Sequence, residues 1–216
     1  MLRTFLVLLA LFVIAIIVFS IPAVQTSIAR KITKTLKEDY DVDINVGRVG
    51  LSYSGDVDLR EIFIKDHHSD TLIYAGGIQT SILSITELIN GHPKLGDVVI
   101  ENLTFRMKIY KDESSDNLMT FVRKFNKNTT PPSQEKFVLT TDEVELLNGK
   151  FSFENENLET PKSVDFYNIN LESENLRVDG EDFYISTNEL SFNSAWGLTV
   201  SNLKTDFKLT PTRMDF

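Results

Sequence analysis

From Tyr40 onward the apolar positions of this chain recur every second residue. Val42, Ile44 and Val46 alternate with Asp43 and Asn45, and Val49, Leu51 and Tyr53 alternate with Gly50 and Ser52. Strand side chains point alternately to two faces, so this period predicts strands with one apolar and one wet face. Ser54-Gly55-Asp56 interrupts the run before Val57 and Leu59, which predicts a hairpin. The clearest alternation sets Leu103, Phe105, Met107 and Ile109 against Thr104, Arg106 and Lys108, the pattern of an antiparallel sheet solvated on one side. Helical spacing is brief. It covers residues 84–91 and 116–126, where Leu118, Phe121, Val122 and Phe125 share a side behind Asp116 as N-cap. Residues 126–135, with Pro131 and Pro132 among small polar side chains, predict a loop.

One pattern returns along the chain: apolar-x-apolar, two skipped positions, apolar-x-apolar. It reads Val57, Leu59, Ile62, Ile64, then Val98, Ile100, Leu103, Phe105, then Val164, Phe166, Ile169, Leu171. A degenerate copy runs through VELLNGKF, where Asn148-Gly149 places turn residues in the gap before Phe151 and Phe153, and LTVSNL starts a fifth. Skipping two positions shifts the alternation by one, so the strand must bulge or turn there to keep both halves on one core. The uneven spacing of the copies points to a sheet extended by related units and not to a strict repeat. Ordinary sandwich patterning would look similar. A single sheet with one apolar face must cover it, either with a second packed sheet or by curving so that the face lines a channel for an apolar ligand.

Ahead of the strands, Phe5 to Val24 is apolar except for Ser20 and Pro22. As a helix this stretch spans roughly 30 Å, enough to cross a bilayer's hydrocarbon core. Its length favours an uncleaved anchor over residues 1–24. The rival reading is a signal peptide, for which Ser27-Ile28-Ala29 is a weak cleavage candidate inside a continuing helical pattern. Val24, Ile28, Ile32 and Leu36 then recur every fourth residue with Arg30, Lys31, Lys34 and Lys37 around them, predicting an amphipathic basic helix over residues 25–39. Its cations could lie against anionic head groups, and its stripe could pack on the following sheet. By the positive-inside rule these cations would place the remaining chain in the cytoplasm.

Composition narrows the chemistry. There is no cysteine, hence no disulfide and no thiolate chemistry. The net charge is −9, yet the first 37 residues carry only basic side chains, so the strand region is strongly acidic and ill suited to a nucleic-acid backbone. No nucleophile elbow, P-loop or His-Glu-x-x-His motif occurs, and Gly76-Gly77 precedes no phosphate-cradling helix. Glu143 and Glu145, or Glu154 and Glu156, read as solvated carboxylates on one strand face, and Trp196 as packing at a sheet end. The densest chemistry is KDHHSD, with Asp66, His67, His68 and Asp70 close together. Adjacent residues of a strand point apart, so His67 and His68 share a metal only if a turn reorients them. The stretch is read as a hydrated turn between Ile64 and Leu72, with no metal, no cofactor and no catalytic residue assigned.

The order of elements resembles the N-terminal end of bacterial AsmA-like envelope proteins of the TamB (translocation and assembly module) type. The likeness is carried by the N-terminal span running directly into IPAVQTSIARKITKTLKEDYDVDINVGRVGLSYSGDVDLREIFIKD, with DTLIYAGGIQTSILSI and LGDVVIENLTFRMKIYKDES as following strands and VELLNGKFSFENEN as a strand, Asn-Gly, aromatic-strand unit. The resemblance implies a mainly β fold: a transmembrane helix and an amphipathic helix leading into a curved, mostly antiparallel β-sheet groove over residues 40–216, the first segment of a longer sheet. It implies an inner-membrane, single-pass protein with its body in the periplasm, opposite to the orientation suggested by charge. It also implies phospholipid carriage between the two membranes or help in outer-membrane protein assembly, with phospholipid and membrane as partners. A BamA-like barrel would be met through chain beyond Phe216. The groove candidates are Val57, Leu59, Ile62, Ile64, Val98, Ile100, Leu103, Phe105, Met107, Ile109, Phe151, Phe153, Phe166, Ile169 and Leu171. The membrane-surface candidates are Arg30, Lys31, Lys34 and Lys37. The alternative is an anchored, non-catalytic β scaffold that binds another envelope protein, for instance by sheet-edge pairing.

Overall fold

A computed structural model describes residues 25–27, 30–31, 33–34, 37–38, 41–52, 54–84, 86–87, 92, 94–126, 138–159, 162–179, 182–210 and 213–215. Its strands are β1 (Asp43–Leu51), β2 (Asp56–Lys65), β3 (Thr71–Ser81), β4 (Lys94–Leu95), β5 (Val98–Glu101), β6 (Thr104–Ile109), β7 (Val138–Asn155), β8 (Lys162–Asp179), β9 (Asp182–Ser194), β10 (Thr199–Thr210) and β11 (Arg213–Asp215). A helix, α1 (Asn117–Asn126), separates β6 from β7. All the strands belong to one 11-stranded sheet ordered β1-β2-β3-β5-β7-β8-β9-β10-β11, with β6 between β3 and β7 and β4 beside β7. The protein is thus mainly β. The membrane span expected over residues 1–24, the stripe Ile28, Ile32 and Leu36, and most of the 126–135 loop lie outside the described residues. Among the described residues, no helix is long and apolar enough to cross a membrane.

The predicted hairpin forms: Gly55 N donates to Ser52 O and Gly55 takes φ 92°, a conformation glycine adopts without steric cost. The predicted helix and cap also form, with Asp116 Oδ1 accepting from Met119 N at 2.8 Å. Pairing is antiparallel throughout except along β7, where β4, β5 and β6 run parallel to it from Lys94↔Thr140 to Ile109↔Asn155 without a slip. Parallel neighbours need a long crossover, and α1 lies in it. This pairing also sets two copies of the repeated pattern side by side, Val98 on Val144, Ile100 on Leu146 and Phe105 on Phe151.

The skipped pairs have a single backbone solution. Glu61, Asn102, Asn148 and Asn168, each the second residue of its gap, take φ of 54°, 53°, 56° and 51°. A left-handed residue does not advance the pleat as an extended one does, so the apolar positions on either side stay on one face. Burial along β7 records the step: Val144, Leu146 and Gly149 are buried, while Leu147, Asn148 and Lys150 are exposed. The ladder is held across it by Asn102 N to Leu147 O (2.9 Å) and Lys150 N to Leu103 O (2.7 Å). Asn148 Nδ2 adds a bond to Asn102 Oδ1 at 2.8 Å. Between β7 and β8 the step becomes a pair of register shifts around Gly149, and LTVSNL shifts register between Val200 and Leu203. A further left-handed residue, Asn175 with φ 57°, has no counterpart among the expected gaps.

Asparagine tolerates the left-handed region and β-branched residues do not. Glu61 holds it as a poor candidate, with glycines at the neighbouring register positions 47 and 76; a Cβ on Gly47 would sit 3.0 Å from the Glu61 Cβ. Chemical denaturation should therefore show Asn148→Val losing about 1–3 kcal/mol. Glu61→Asn should gain a few tenths up to about 1 kcal/mol.

Candidate functional site

The step aligns apolar residues into rows that cross the sheet. One row runs Val49, Leu59, Ile78, Ile100, Leu146, Leu171, Leu190, Leu203, from β1 to β10, each residue paired with the next. Beyond the step a second runs Ile44, Ile64, Ile73, Phe105, Phe151, Phe166 and ends on Ser194. Register partners share a face. The two halves also share it, because a Cβ on Gly149 would lie 3.0 Å from Leu146 Cδ2 across the step. Val57, Val98 and Val144 flank the first row, Ile62 and Ile169 fall between the rows beside Leu103, and Met107, Phe153 and Val164 form a row past the second, next to Ile109. Every predicted groove residue is therefore placed on one surface.

Aromatic rings dominate the far half. Phe105 meets Phe151 edge-on at 5.5 Å, Phe151 stacks on Phe166 at 6.2 Å, and Phe166 takes Phe192 and Trp196 edge-on at 4.9 and 5.3 Å. Such offset and edge contacts suit the ring quadrupole. Trp196, expected to pack at a sheet end, lies in the β9–β10 turn against Phe166 and stays 56 % exposed.

Cover on this face is uneven. Val49, Ile62, Val98 and Leu146 are buried, whereas Leu203 at the other end of its row is 42 % exposed and most groove candidates are half-buried. All described strands belong to one sheet, so among the described residues no second sheet packs on the apolar side. At one end of the sheet lies α1. Asn117 ties its start to β6 by accepting from Lys108 N (2.9 Å) and donating to Arg106 O (3.1 Å). Lys124 near its end reaches Asp41 ahead of β1 at 2.8 Å. The helix thus passes the strand ends from β6 to β1 and leaves β8 to β10 without it. The opposite face is wet and acidic, with Asp58, Gln79, Val99, Glu145, Glu172 and Glu189 in register and Arg60 bridging over Gly77 to Glu101 at 2.6 Å.

The β1 edge is capped at its C-terminal end. The Gln25 carboxamide donates to Leu51 O and accepts from Leu51 N, both at 2.8 Å, reproducing two bonds of a missing strand, and Thr26 Oγ1 accepts from Val49 N. Capping an edge in this way prevents a further chain from pairing there. Described positions from 25 to 38 are helical, as the basic amphipathic pattern predicted, and Arg30, Lys31, Lys34 and Lys37 are all exposed. Lys34 and Lys37 lie near Glu38 (3.8 Å) and Asp43 (3.2 Å). At the other end, β11 covers only Lys208, Leu209 and Thr210 of β10.

KDHHSD is a turn, as expected, but it is not simply hydrated. Asp66 is 6 % exposed; its Oδ1 accepts from His68 N and Asp70 N, closing the turn. Its Oδ2 accepts from Tyr110 Oη (2.7 Å) and Asn117 Nδ2 (2.9 Å), joining the β2–β3 turn to the end of β6 and the start of α1. Burial alone would raise the Asp66 pKa; the bonds from Asn117, Tyr110 and the two amides outweigh it and hold the carboxyl below its ordinary range. Burial and its anionic acceptors push Tyr110 far up, so it stays a phenol. The turn also swings both imidazoles to one side, where His67 Nε2 lies 2.9 Å and His68 Nε2 2.7 Å from Glu113. Sequence reasoning missed Asn117, Tyr110 and Glu113, all more than 40 residues from the turn. The buried asparagine just after a strong N-cap was the available signal.

No protein-family model and no curated protein matches the chain.

Asn117→Ala orphans Lys108 N, Arg106 O and one bond to Asp66, and should cost about 2–3 kcal/mol in equilibrium unfolding. Lys124→Ala removes a pair whose acid is solvent-exposed and should cost less than about 1 kcal/mol.

Proposed function

We propose that the apolar face of the sheet is a path for lipid acyl chains, in a protein anchored by residues 1–24 in an inner membrane with its sheet in the periplasm. The supporting observation is the continuous aliphatic row from Val49 to Leu203, backed by the aromatic row from Phe105 to Phe166, on a face over which no second sheet packs among the described residues. A surface of this kind is costly in water and marks an interaction site. Strands β7 and β8, 18 residues each, give the face a length of about 60 Å along the strands, at right angles to the rows. The aligned left-handed steps favour curvature, since such irregularities bend a strand and sharpen its twist. The exposed cations at Arg30, Lys31, Lys34 and Lys37 suit an anionic membrane surface beside the sheet. This matches the AsmA-like resemblance, and with it a role in outer-membrane biogenesis through phospholipid supply.

A second reading has its own observation. The β10 edge carries β11 over only three residues, so a strand of another envelope protein could extend the sheet there. In that reading the chain is an anchored, non-catalytic scaffold.

Photoreactive residues placed singly at Phe151, Leu171, Ser152 and Glu172, and at positions 199–207, of the full chain in native membranes separate the two. Lipid transport predicts phospholipid adducts by mass spectrometry at 151 and 171 and none above background at 152 and 172. Protein adducts from 199–207, with no lipid captured at 151 or 171, would favour the scaffold and contradict the lipid path.

A further inference from the structure

We infer that His67, His68 and Glu113 form a binding site for one borderline divalent transition-metal ion of the Zn2+ type. The ligand atoms of these three residues lie within 4.8 Å of one another. His67 Nε2 is 3.1 and 2.9 Å from the two Glu113 carboxylate oxygens, and His68 Nε2 is 2.7 Å from Oε1. Zinc bonds of about 2.0–2.2 Å in a tetrahedron set ligand atoms about 3.3–3.6 Å apart, so the histidine–carboxylate distances must open slightly while the span of up to 4.8 Å across the cluster closes.

The cluster is positioned by elements distant in sequence. Asp66 closes the turn that turns His67 and His68 the same way. Tyr110, fixed by its hydroxyl on Asp66, stacks on the His68 ring at 3.8 Å and 30° and meets His67 edge-on at 5.5 Å. Glu113 is held from the β7–β8 turn, where Asn157 Nδ2 donates to Glu113 O at 2.7 Å and Asn157 Oδ1 accepts from Asp112 N at 2.7 Å. Among the described residues, no lysine or arginine forms an ion pair with Glu113; its side chain meets the two imidazoles. A half-buried anion facing two imidazole nitrogens has the composition of a metal site.

Two imidazoles and one carboxylate select zinc, nickel, cobalt or copper over calcium and magnesium, which prefer all-oxygen shells. Three protein ligands leave one position open to water. His67 Nδ1 is buried without a partner, so no acceptor behind that ligand reinforces it, and the affinity falls on the order of micromolar and not nanomolar. The ion would join the β2–β3 turn to the segment entering α1. The site stands independently of the lipid reading.

The test uses the full chain without a polyhistidine tag, solubilised in mild detergent, with zinc chloride as the probe. Calorimetry and elemental analysis should give one zinc per chain and a raised unfolding midpoint with zinc present. His68→Ala and Glu113→Gln should each weaken binding at least about tenfold, and His92→Ala should leave it unchanged. His67→Gln, which preserves the bulk of the partly buried ring better than alanine, should act like His68→Ala while the far-ultraviolet spectrum stays native. Millimolar or weaker binding by the wild type overturns the site, as does undiminished, wild-type affinity in His68→Ala and Glu113→Gln; either result leaves histidine–carboxylate hydrogen bonds only.

Discussion

The left-handed step made by Glu61, Asn102, Asn148 and Asn168 is the constraint on which the rest of this structure depends. A strand of strict alternation with the sequence of β7 would put Val144 and Leu146 on one face and Phe151 and Phe153 on the other. Neither face could then be apolar throughout, and both would expose rings. Asn148 and its counterparts Asn102, Asn168 and Glu61 remove that conflict at a modest backbone cost. Because the steps occur together, with Asn148 bonded to Asn102, the rows on either side stay in register from strand to strand.

The sheet's periphery follows from the same division into an apolar and a wet side. On the β1 edge a glutamine and a threonine replace a strand. At the end of β2 and β6, buried Asp66 gathers bonds from a tyrosine, an asparagine and two amides, and thereby fixes the entry to α1. A buried carboxylate with every bond satisfied is costly to break and leaves little freedom in the geometry around it. The histidines inherit their convergence from that rigidity. The parallel junction between β4–β6 and β7 lets two similar strands lie side by side, so one pattern of residues makes matching rows on both.

Much of this was legible in the chain. The period of two, the Ser54–Asp56 turn, the Asp116 cap and the helix behind it rest on neighbours within a few positions, where local physics decides. The double gaps announced a break in alternation, and Asn148-Gly149 even named the residue type that makes it. What escaped was non-local. Nothing near Val98 says that its neighbour is Val144 in a parallel ladder, and nothing near His67 says that Glu113 faces it. Adjacent histidines diverge on a strand unless a turn reorients them, and Asp66 makes that turn by binding the backbone of His68 and Asp70. Asn175 and Asn188 occupy further irregularities in β8 and β9 that the apolar pattern, interrupted by Ser173 and Thr187, did not mark.

The chain contains no cysteine, so single cysteines can be placed along β7 from 143 to 153 and carry a spin label whose accessibility to water-soluble and apolar relaxers is read position by position. The account predicts inward signals at 144, 146, 149, 151 and 153, with 147 and 148 both facing water. An unbroken alternation through 147 and 148, placing 151 and 153 on the wet face, would contradict it.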